Sequence, residues 1–371
     1  MCNNGGEVMR KLASIQEIID IQPIEGADKI EVATVLGWKV VVKKGEFIVG
    51  DKVVYIEIDS ILPPREVFEF MAPRKYKVKT IKLRKQISQG IIFPLSILEM
   101  KKAYHIDDDV TEELGITKFL TKEEVNDLQQ EQLKQGKIEK YLMRYSWFRK
   151  LRKNKRDFKG FPKFIKKTDE TRIQNMPAVL KNKELFTVCE KLDGQSGTWL
   201  LIRKNRNFIE KLFKLPEYEF VVCSRNIRKG YKFDNSSYWN IAIQYDIENT
   251  LKKMIGNSKY VGIQGEIIGQ GIQGNKYKVE GYDMYVFNYI TPDKVYSSSE
   301  VEDKLEWHGF KTVPVIDIMY KLPDTVDEIV KYSTGKSTLL KTPREGYVFR
   351  NKDNTISFKV INPEFLLKND E

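Results

Sequence analysis

The chain is poor in the residues that build several common kinds of site. It has only two histidines, His105 and His308, which excludes a histidine-rich metal site and disfavours a serine–histidine–aspartate mechanism. Its three cysteines, Cys2, Cys189 and Cys223, fit neither a CxxC pair nor a disulfide framework, which indicates reduced thiols. Any chemistry must therefore rest on lysine, arginine and carboxylate side chains.

Long apolar runs are also missing. No run is long enough to span a bilayer, and the first residues lack the apolar core of a secretory signal. The hydrophobic fraction of 41% nevertheless suffices for globular cores. We therefore expect a globular, cytoplasmic protein that works as a monomer.

The charge balance is strongly positive. The formal net charge is +11, and such an excess attracts polyanions, of which nucleic acid is the commonest. A lysine-rich proteome would give the same balance without any such partner. Charge alone therefore leaves both interpretations open.

The distribution of strand and helix patterns divides the chain into three parts. Short alternating segments with glycine and aspartate turns predict a small OB-like β-barrel within residues 1–118. A polar segment without early glycine or proline predicts a helical, basic linker or insert at 119–167. Strand and helix patterns then alternate, which predicts a mixed α/β domain at 168–371 and an α+β chain overall.

The end of the linker mixes cations with aromatic rings. Basic residues between Arg149 and Lys167 stand among aromatic side chains, a composition that suits a phosphate backbone and unstacked bases. A solvated linker whose rings dock on a neighbouring domain would have the same composition. The rings are Trp147, Phe148, Phe158, Phe161 and Phe164.

Two apparent nucleotide-binding motifs fail on context. The segment GQGIQG at Gly269–Gly274 matches GxGxxG, but a loop and strand pattern follows where a dinucleotide site needs a helix. The segment TGKST at Thr334–Thr338 resembles the end of a P-loop, but Val330 occupies the position of the required upstream glycine. We reject both motifs.

Several short motifs that carry chemistry occur in a fixed order in the third part of the chain. They are EKLDGQSG (Glu190–Gly197), CSRN (Cys223–Asn226), QGEIIG (Gln264–Gly269), YVFN (Tyr285–Asn288), REGYVFR (Arg344–Arg350) and SFKV (Ser357–Val360). Each motif is weak alone, but the order and chemistry of the whole set resemble those of the covalent nucleotidyltransferases, which transfer a nucleotide through a lysine.

Lys191 is the candidate nucleophile. It follows a predicted strand and precedes a glycine turn, so its amine can reach a phosphorus atom and take AMP from ATP by covalent catalysis. Because lysine normally titrates near about 10.4, nearby charges must shift or orient the amine. In isolation Lys191 would instead be a surface lysine before a turn.

Three acids from distant motifs indicate a divalent cation. Asp193, Glu266 and Glu345 would repel each other in one pocket unless Mg²⁺ or Mn²⁺ lay among them, held in part through water. The alternative is three separate surface acids, each paired with a lysine.

Four further residues complete the predicted nucleotide pocket. We expect Arg225 and Lys359 to hold phosphates, Phe287 to stack on adenine and Glu190 to accept a hydrogen bond from the adenine amino group. Core packing for Phe287 and strand-edge solvation for Glu190 are the alternatives.

The ordered motifs resemble those of the covalent nucleotidyltransferases, namely DNA ligases, RNA ligases and capping enzymes. DNA ligases and capping enzymes usually have an arginine where Ser196 stands, and they carry an OB domain after the transferase domain. Here the predicted barrel comes first, and the printed chain ends shortly after SFKV. This arrangement is similar to RNA ligase family 5 over nearly the whole chain.

The resemblance implies a role for each matching residue. It implies that Lys191 becomes adenylated, that Asp193, Glu266 and Glu345 hold the hydrated metal, and that Lys359 contacts the α-phosphate. It also implies that Ser196 and Arg225 line the nucleotide site and that Arg172, within TDETRIQN, serves the β- and γ-phosphates. Relatives often have KxK in the last motif, whereas this chain has Ser357 at the first lysine.

The resemblance further implies an OB domain before a nucleotidyltransferase domain of the ATP-grasp-like ligase type. It implies ATP-dependent sealing of 3′-OH and 5′-phosphate RNA ends, in nicked duplexes, for RNA repair. A DNA ligase, a non-catalytic OB-type nucleic-acid-binding protein and a protein-modifying adenylyltransferase are the alternatives. The intact acids and Lys191 disfavour the second, and the basic charge disfavours the third.

Overall fold

The protein is described by a computed structural model. The described residues are 10–99, 103–121, 124–125, 127, 160–206, 208, 212–213, 215–230, 236–297, 299–340 and 342–369. Most of the helical linker predicted at 119–167 lies outside these residues, and so do Trp147, Phe148 and Phe158.

The two linker aromatics that are described lie on the α/β domain. Phe161 packs against a cluster that contains the buried Ile165. The Phe164 ring centroid lies 4.7 Å from that of Tyr260. These two rings therefore pack on the α/β domain.

The first domain consists of short strands; burial alternates along β3, whereas β1, β2 and β4 each contain a run of four buried residues. The strands are β1 (Ala13–Pro23), β2 (Ile30–Val35), β3 (Trp38–Lys43), β4 (Lys52–Ile56), β5 (Ser60–Ile61), β6 (Lys77–Val78), β7 (Thr80–Leu83), β8 (Gln86–Gln89), β9 (Ile91–Pro94) and β10 (Thr117–Lys118).

Three small sheets enclose the core of this domain. Their strand orders are β3-β2-β1-β4-β9, β10-β5-β6 and β7-β8. Trp38, Tyr55 and Phe68 are fully buried among aliphatic side chains between them. The predicted strands and the OB-like arrangement are confirmed.

The second domain contains two larger sheets. Its strands are β11 (Thr171–Arg172), β12 (Leu185–Lys191), β13 (Gln195–Arg203), β14 (Tyr218–Cys223), β15 (Tyr260–Gly269), β16 (Tyr282–Ile290), β17 (Val295–Ser297), β18 (Lys311–Thr312), β19 (Val315–Lys321), β20 (Gly346–Asn351) and β21 (Ser357–Ile361). One sheet has the order β11-β21-β20-β12-β19, and the other has β14-β13-β15-β16-β17 with β18 paired to β16. Each predicted strand of this domain is present.

Short helices cover these sheets. They are α1 (Thr111–Leu114), which lies in the first domain, α2 (Ser237–Gln244), α3 (Ile247–Met254), α4 (Ser299–Leu305), α5 (Val326–Ser333) and α6 (Pro363–Asn369). Among the described residues, no helix has the length and apolar character needed to cross a membrane.

The sequence from Tyr238 to Met254 has a helical pattern throughout, but it folds as two helices. Asp246 between them adopts a left-handed conformation with φ 46°, which interrupts the helical hydrogen bonds. The break lets both α2 and α3 contribute to one core cluster, through Ile241 and Leu251. The packing of α2 and α3 on the sheet therefore accounts for a helix break that the sequence periodicity does not predict.

The two rejected motifs lie in loops. Gly269–Gly274 leads from β15 into a single 3-10 turn and then β16, so no helix follows it. Thr334–Thr338 follows α5 rather than a strand. Neither segment has the strand–loop–helix arrangement of a phosphate-binding motif.

The two domains meet through a hydrogen-bonded seam beside β3. The Trp38 indole donates to Asn175 Oδ1 at 2.5 Å, and Asn175 donates to Glu57 Oε1 at 2.7 Å. The Gly37 amide donates to the Gln174 carbonyl at 2.9 Å. A Cβ at position 37 would lie 2.8 Å from the Gln174 Cα, so only glycine permits this approach.

We expect Trp38→Phe to lower the thermal unfolding midpoint. The change removes the indole donor and leaves the Asn175 oxygen short of a partner, at a cost of about 1–3 kcal/mol. Trp307→Phe is the matched control, because Trp307 is 92% exposed. Differential scanning fluorimetry measures both midpoints, and equal shifts would contradict a structural role for the seam.

Candidate active site

The candidate site lies where the chain crosses from one sheet of the second domain to the other. β12 ends at Lys191, and Leu192, Asp193 and Gly194 lead into β13. At Gly194 a Cβ would lie 2.3 Å from the Ile267 carbonyl oxygen of β15, so the crossing needs glycine. The close approach brings the Lys191 strand end beside β15.

Lys191 is held by Glu345. Its Nζ lies 2.7 Å from each carboxylate oxygen of Glu345, and cross-strand pairing of Lys191 with Gly346 fixes this register. Burial lowers the pKa of Lys191, but Glu345 and Glu266 outweigh burial and raise it overall. Burial and Asp193 raise the pKa of Glu345.

The other two predicted acids flank the same turn. Asp193 forms an ion pair with Lys276, and its amide donates to the Tyr277 hydroxyl at 3.0 Å. Glu266 accepts a hydrogen bond from the Gly194 amide at 3.1 Å. The three acids therefore lie around one turn, and two of them pair with lysines.

The three acids do not form a compact metal cage. In the part of the chain that the structure describes, no three histidine, cysteine, aspartate or glutamate side chains are close enough to hold an ion directly. Glu345 and Asp193 contact lysines instead. Such a set of acids around one turn fits a cation that keeps its own waters, as Mg²⁺ does.

Lys359 lies in a cationic part of the site. Its Nζ donates to Asp169 Oδ1 at 2.8 Å. Burial, with the charges of Arg172 and Lys191, lowers the pKa of Lys359 to about 8 although Asp169 opposes the shift. Burial alone would raise the pKa of Asp169, but Lys359 and Arg225 lower it to about 2.

Arg172 is oriented by the first domain. It pairs with Lys359 across β11 and β21, and its guanidinium donates to Asp59 Oδ2 at 3.0 Å. The guanidinium also lies 5.7 Å from the Trp38 ring centroid. The OB-like domain therefore closes one side of the site.

The predicted base-binding residues lie around the same strand end. Phe287 is partly buried on β16 in a cluster with Cys189, Leu192 and Leu339. Ser196 is buried, and its hydroxyl lies 2.6 Å from that of Thr168.

Glu190 is 2% exposed, so strand-edge solvation does not describe it. Its Oε2 accepts hydrogen bonds from the Thr338 amide at 2.8 Å and the Thr338 hydroxyl at 2.5 Å. Its Oε1 is buried without a hydrogen-bond partner. A buried acceptor in this state suits a ligand that brings an N–H donor.

Sequence reasoning missed several residues that contact the predicted ones. Asp169 and Lys276 are ion partners that no motif distinguished, although Asp169 lies within TDETRIQN. Thr338 stands in the rejected P-loop segment, and only folding brings it to Glu190. No sequence signal predicts a contact across the 148 positions between them.

Comparisons with known proteins match both halves of the chain. A family model described as an OB-fold domain matches residues 12–95, and one described as RNA ligase matches residues 184–363. No curated protein matches the chain.

Solved structures of a Naegleria gruberi RNA ligase are similar over nearly the full length. A mutant in the apo state is 32% identical with a TM-score of 0.77, covering 97% of this chain and 98% of that chain. The ligase with PPi is 32% identical with a TM-score of 0.77, covering 97% and 99%. A mutant with ATP and Mn is 31% identical with a TM-score of 0.77, covering 97% and 100%.

The similarity spans both domains and the site between the two larger sheets. The domain boundaries at 118/119 and 167/168 stay predictions. With an OB-fold domain followed by a mixed α/β ligase domain, and identity of 32% over nearly its whole length, the chain belongs to the RNA ligase family.

Proposed function

We propose that this RNA ligase joins 3′-OH and 5′-phosphate RNA ends with ATP, through AMP bound covalently to Lys191. The observation that carries the proposal is the Lys191 amine, held by both oxygens of Glu345 at a strand end. Structures of the N. gruberi ligase contain ATP and Mn, AMP and Mn, or PPi, which supports these ligands for this chain.

The first step forms the bond between Lys191 Nζ and the α-phosphorus of ATP. Nζ loses its proton, attacks the α-phosphorus, and the bond to pyrophosphate breaks. Lys359 and Arg225 hold the phosphate oxygens as negative charge builds on them, and Arg172 holds the leaving group.

The next two steps consume this AMP. The 5′-phosphate of an RNA strand attacks the lysyl-AMP phosphorus and releases Lys191, which activates that strand end. A 3′-OH then attacks the activated 5′-phosphate, and AMP leaves. The same cations serve all three steps, since each step develops charge on a phosphate.

Asp193, Glu266 and Glu345 would hold Mg²⁺ or Mn²⁺ through its waters. When bound, the ion would neutralise charge on the α-phosphate and disfavour the protonated amine. Asp193 and Glu345 also form ion pairs with Lys276 and Lys191.

The base-binding residues keep the roles predicted for them. Phe287 is the stacking face for adenine, and Ser196 lines the nucleotide site. Glu190 Oε1 is the acceptor for the adenine amino group, which its buried and unpartnered state supports.

The substrate is RNA, and we propose a nicked duplex whose 3′ side is RNA as its preferred form. We propose further that the ligase acts as a monomer in the cytoplasm, in RNA repair. A DNA ligase is the second candidate, and the strand preference decides between the two.

We expect Lys191→Ala and Lys191→Arg both to abolish covalent labelling by radioactive ATP. Arginine keeps the charge beside Glu345 but is no nucleophile at ordinary pH, so only the chemistry is lost. Labelling is followed on a denaturing gel after pre-bound AMP is removed, with magnesium and with manganese. Label that survives in Lys191→Arg would place the adduct on another residue and contradict the proposal.

The pH dependence of lysyl-AMP formation should show the loss of the Lys359 charge. Because the pKa of Lys191 is raised, kcat/KM for ATP should climb about tenfold per pH unit as the amine deprotonates. Above about pH 8 the climb should level off, since Lys359 loses the charge that binds phosphate. In Lys359→Arg the charge persists and the climb should continue; a profile that levels off in this variant too would rule out Lys359 as the cause.

The strand preference should favour RNA at the 3′ side of a nick. We expect sealing of a nick with an RNA 3′-OH strand to exceed sealing of the DNA equivalent by about tenfold or more, because a ligase site can contact the 2′-OH. Single-turnover sealing on pre-adenylylated nicks measures this without the first step. Equal rates would favour the DNA ligase alternative.

A further inference from the structure

A buried ion pair lies behind the Arg225 turn. Asp127 Oδ1 accepts from Lys229 Nζ at 2.7 Å, and both side chains are 5% exposed. The second oxygen of Asp127 accepts from the Ser224 hydroxyl at 2.6 Å. Charged residues are seldom buried this deeply unless they are paired and hydrogen-bonded.

The Asp127 contacts hold both ends of the turn that carries Arg225. Within the turn, the Ser224 amide donates to the Ile227 carbonyl at 2.9 Å, and the Ile227 amide donates to Ser224 Oγ at 3.3 Å. The Lys229 backbone amide donates to the Val222 carbonyl of β14 at 2.8 Å. One carboxylate therefore binds the residue before Arg225 and the first lysine after it.

Asp127 does not belong to the ligase fold around it. It comes from the segment that leaves β10 of the first domain, and the family model for RNA ligase begins only at residue 184. Lys118 on β10 and Glu124 form an ion pair at 2.6 Å. The linker thus supplies the acid that the turn lacks.

Arg225 acts on the site from this turn. Its charge contributes to the electrostatics of both Lys191 and Asp169. We propose that Asp127 is a positioning residue for Arg225, so that the linker from the OB-fold domain completes the phosphate-binding side of the active site. The proposal rests on the phosphate-binding role of Arg225 in the proposed function.

The geometry explains why an acid is needed at this place. A serine hydroxyl has a single proton, and donation to Asp127 leaves its lone pairs free to accept from the Ile227 amide. Without the acid the hydroxyl would keep only the Ile227 carbonyl, at 3.4 Å, as its acceptor, and Lys229 would lose its carboxylate partner while its stem stays buried. Both losses would loosen the turn and misplace Arg225 relative to the phosphates.

The test removes the Asp127–Lys229 ion pair without leaving a buried charge. Asp127→Ala combined with Lys229→Met deletes both charges, because methionine fills the space of the lysine stem. Lysyl-AMP formation with radiolabelled ATP is measured in the full chain, for this double variant, for Arg225→Ala and for the triple combination. Glu219→Ala with Arg228→Met is the matched control, since that 2.6 Å pair joins Arg228, the neighbour of Lys229, to the first half of β14 and is about a quarter exposed.

We expect the double variant to lose about tenfold in kcat/KM for ATP. If Arg225→Ala changes mainly kcat, the double variant should also change mainly kcat, and the same holds for KM. The triple variant should be no worse than Arg225→Ala alone, because residues that act through one another are non-additive. The control pair should lose less than about threefold. Ser224→Ala, which keeps the ion pair, should reproduce part of the loss and serves if the double variant unfolds.

Other outcomes separate the two proposals. If the wild type forms the adduct and the double variant matches it, or if the losses multiply in the triple variant, Asp127 does not act through Arg225. A loss as large in the control pair would also overturn the inference, because any disturbance of the strand end would then suffice. A wild type that forms no adduct contradicts the proposed function itself.

Discussion

The contact between Lys191 and Glu345 is the interaction on which the rest of the site depends. It joins residues 154 positions apart, and it exists because β12 and β20 pair in a register that sets Lys191 opposite Gly346. A shift by one residue would turn the amine to the other face of the sheet. The buried aromatic and aliphatic side chains beneath these strands, such as Phe349 and Val188, fix that register.

The charges around this contact are balanced against one another. Burial and neighbouring acid raise the pKa of Glu345, while burial and neighbouring cations lower that of Lys359. A nucleotide that brings phosphates and a divalent cation would change both environments in the direction of the charged forms. The site is thus arranged for a polyanion rather than for a neutral ligand.

Both arginines assigned to the phosphates are oriented from outside the ligase domain. Asp59 of the OB-fold domain holds Arg172, and Asp127 of the linker holds the turn of Arg225. The second domain supplies the nucleophile and the acids, and the preceding segments supply the supports of two cations. The OB-fold domain therefore contacts the proposed phosphate-binding side of the site through Asp59.

The strands and the ordered motifs were predictable from the sequence, because alternation and turn residues are local properties. Lys191, Asp193, Glu266 and Glu345 were predicted together, and the fold places them around one turn. The break at Asp246 was not predictable, since packing of α2 and α3 on the sheet overrides the helical periodicity. The roles of Thr338 and Asp127 were equally hidden, because their partners are distant in the chain.

The sequence by itself determined the two kinds of domain and the kind of chemistry and indicated a candidate nucleophile, since these follow from local pattern and residue type. Only the tertiary structure decided which partner each charge has. Lys276 pairs with Asp193, Asp169 with Lys359 and Asp127 with Lys229 because strand register and burial bring them within hydrogen-bonding distance. Electrostatic pairing depends on separation in space, and separation along the chain does not reveal it.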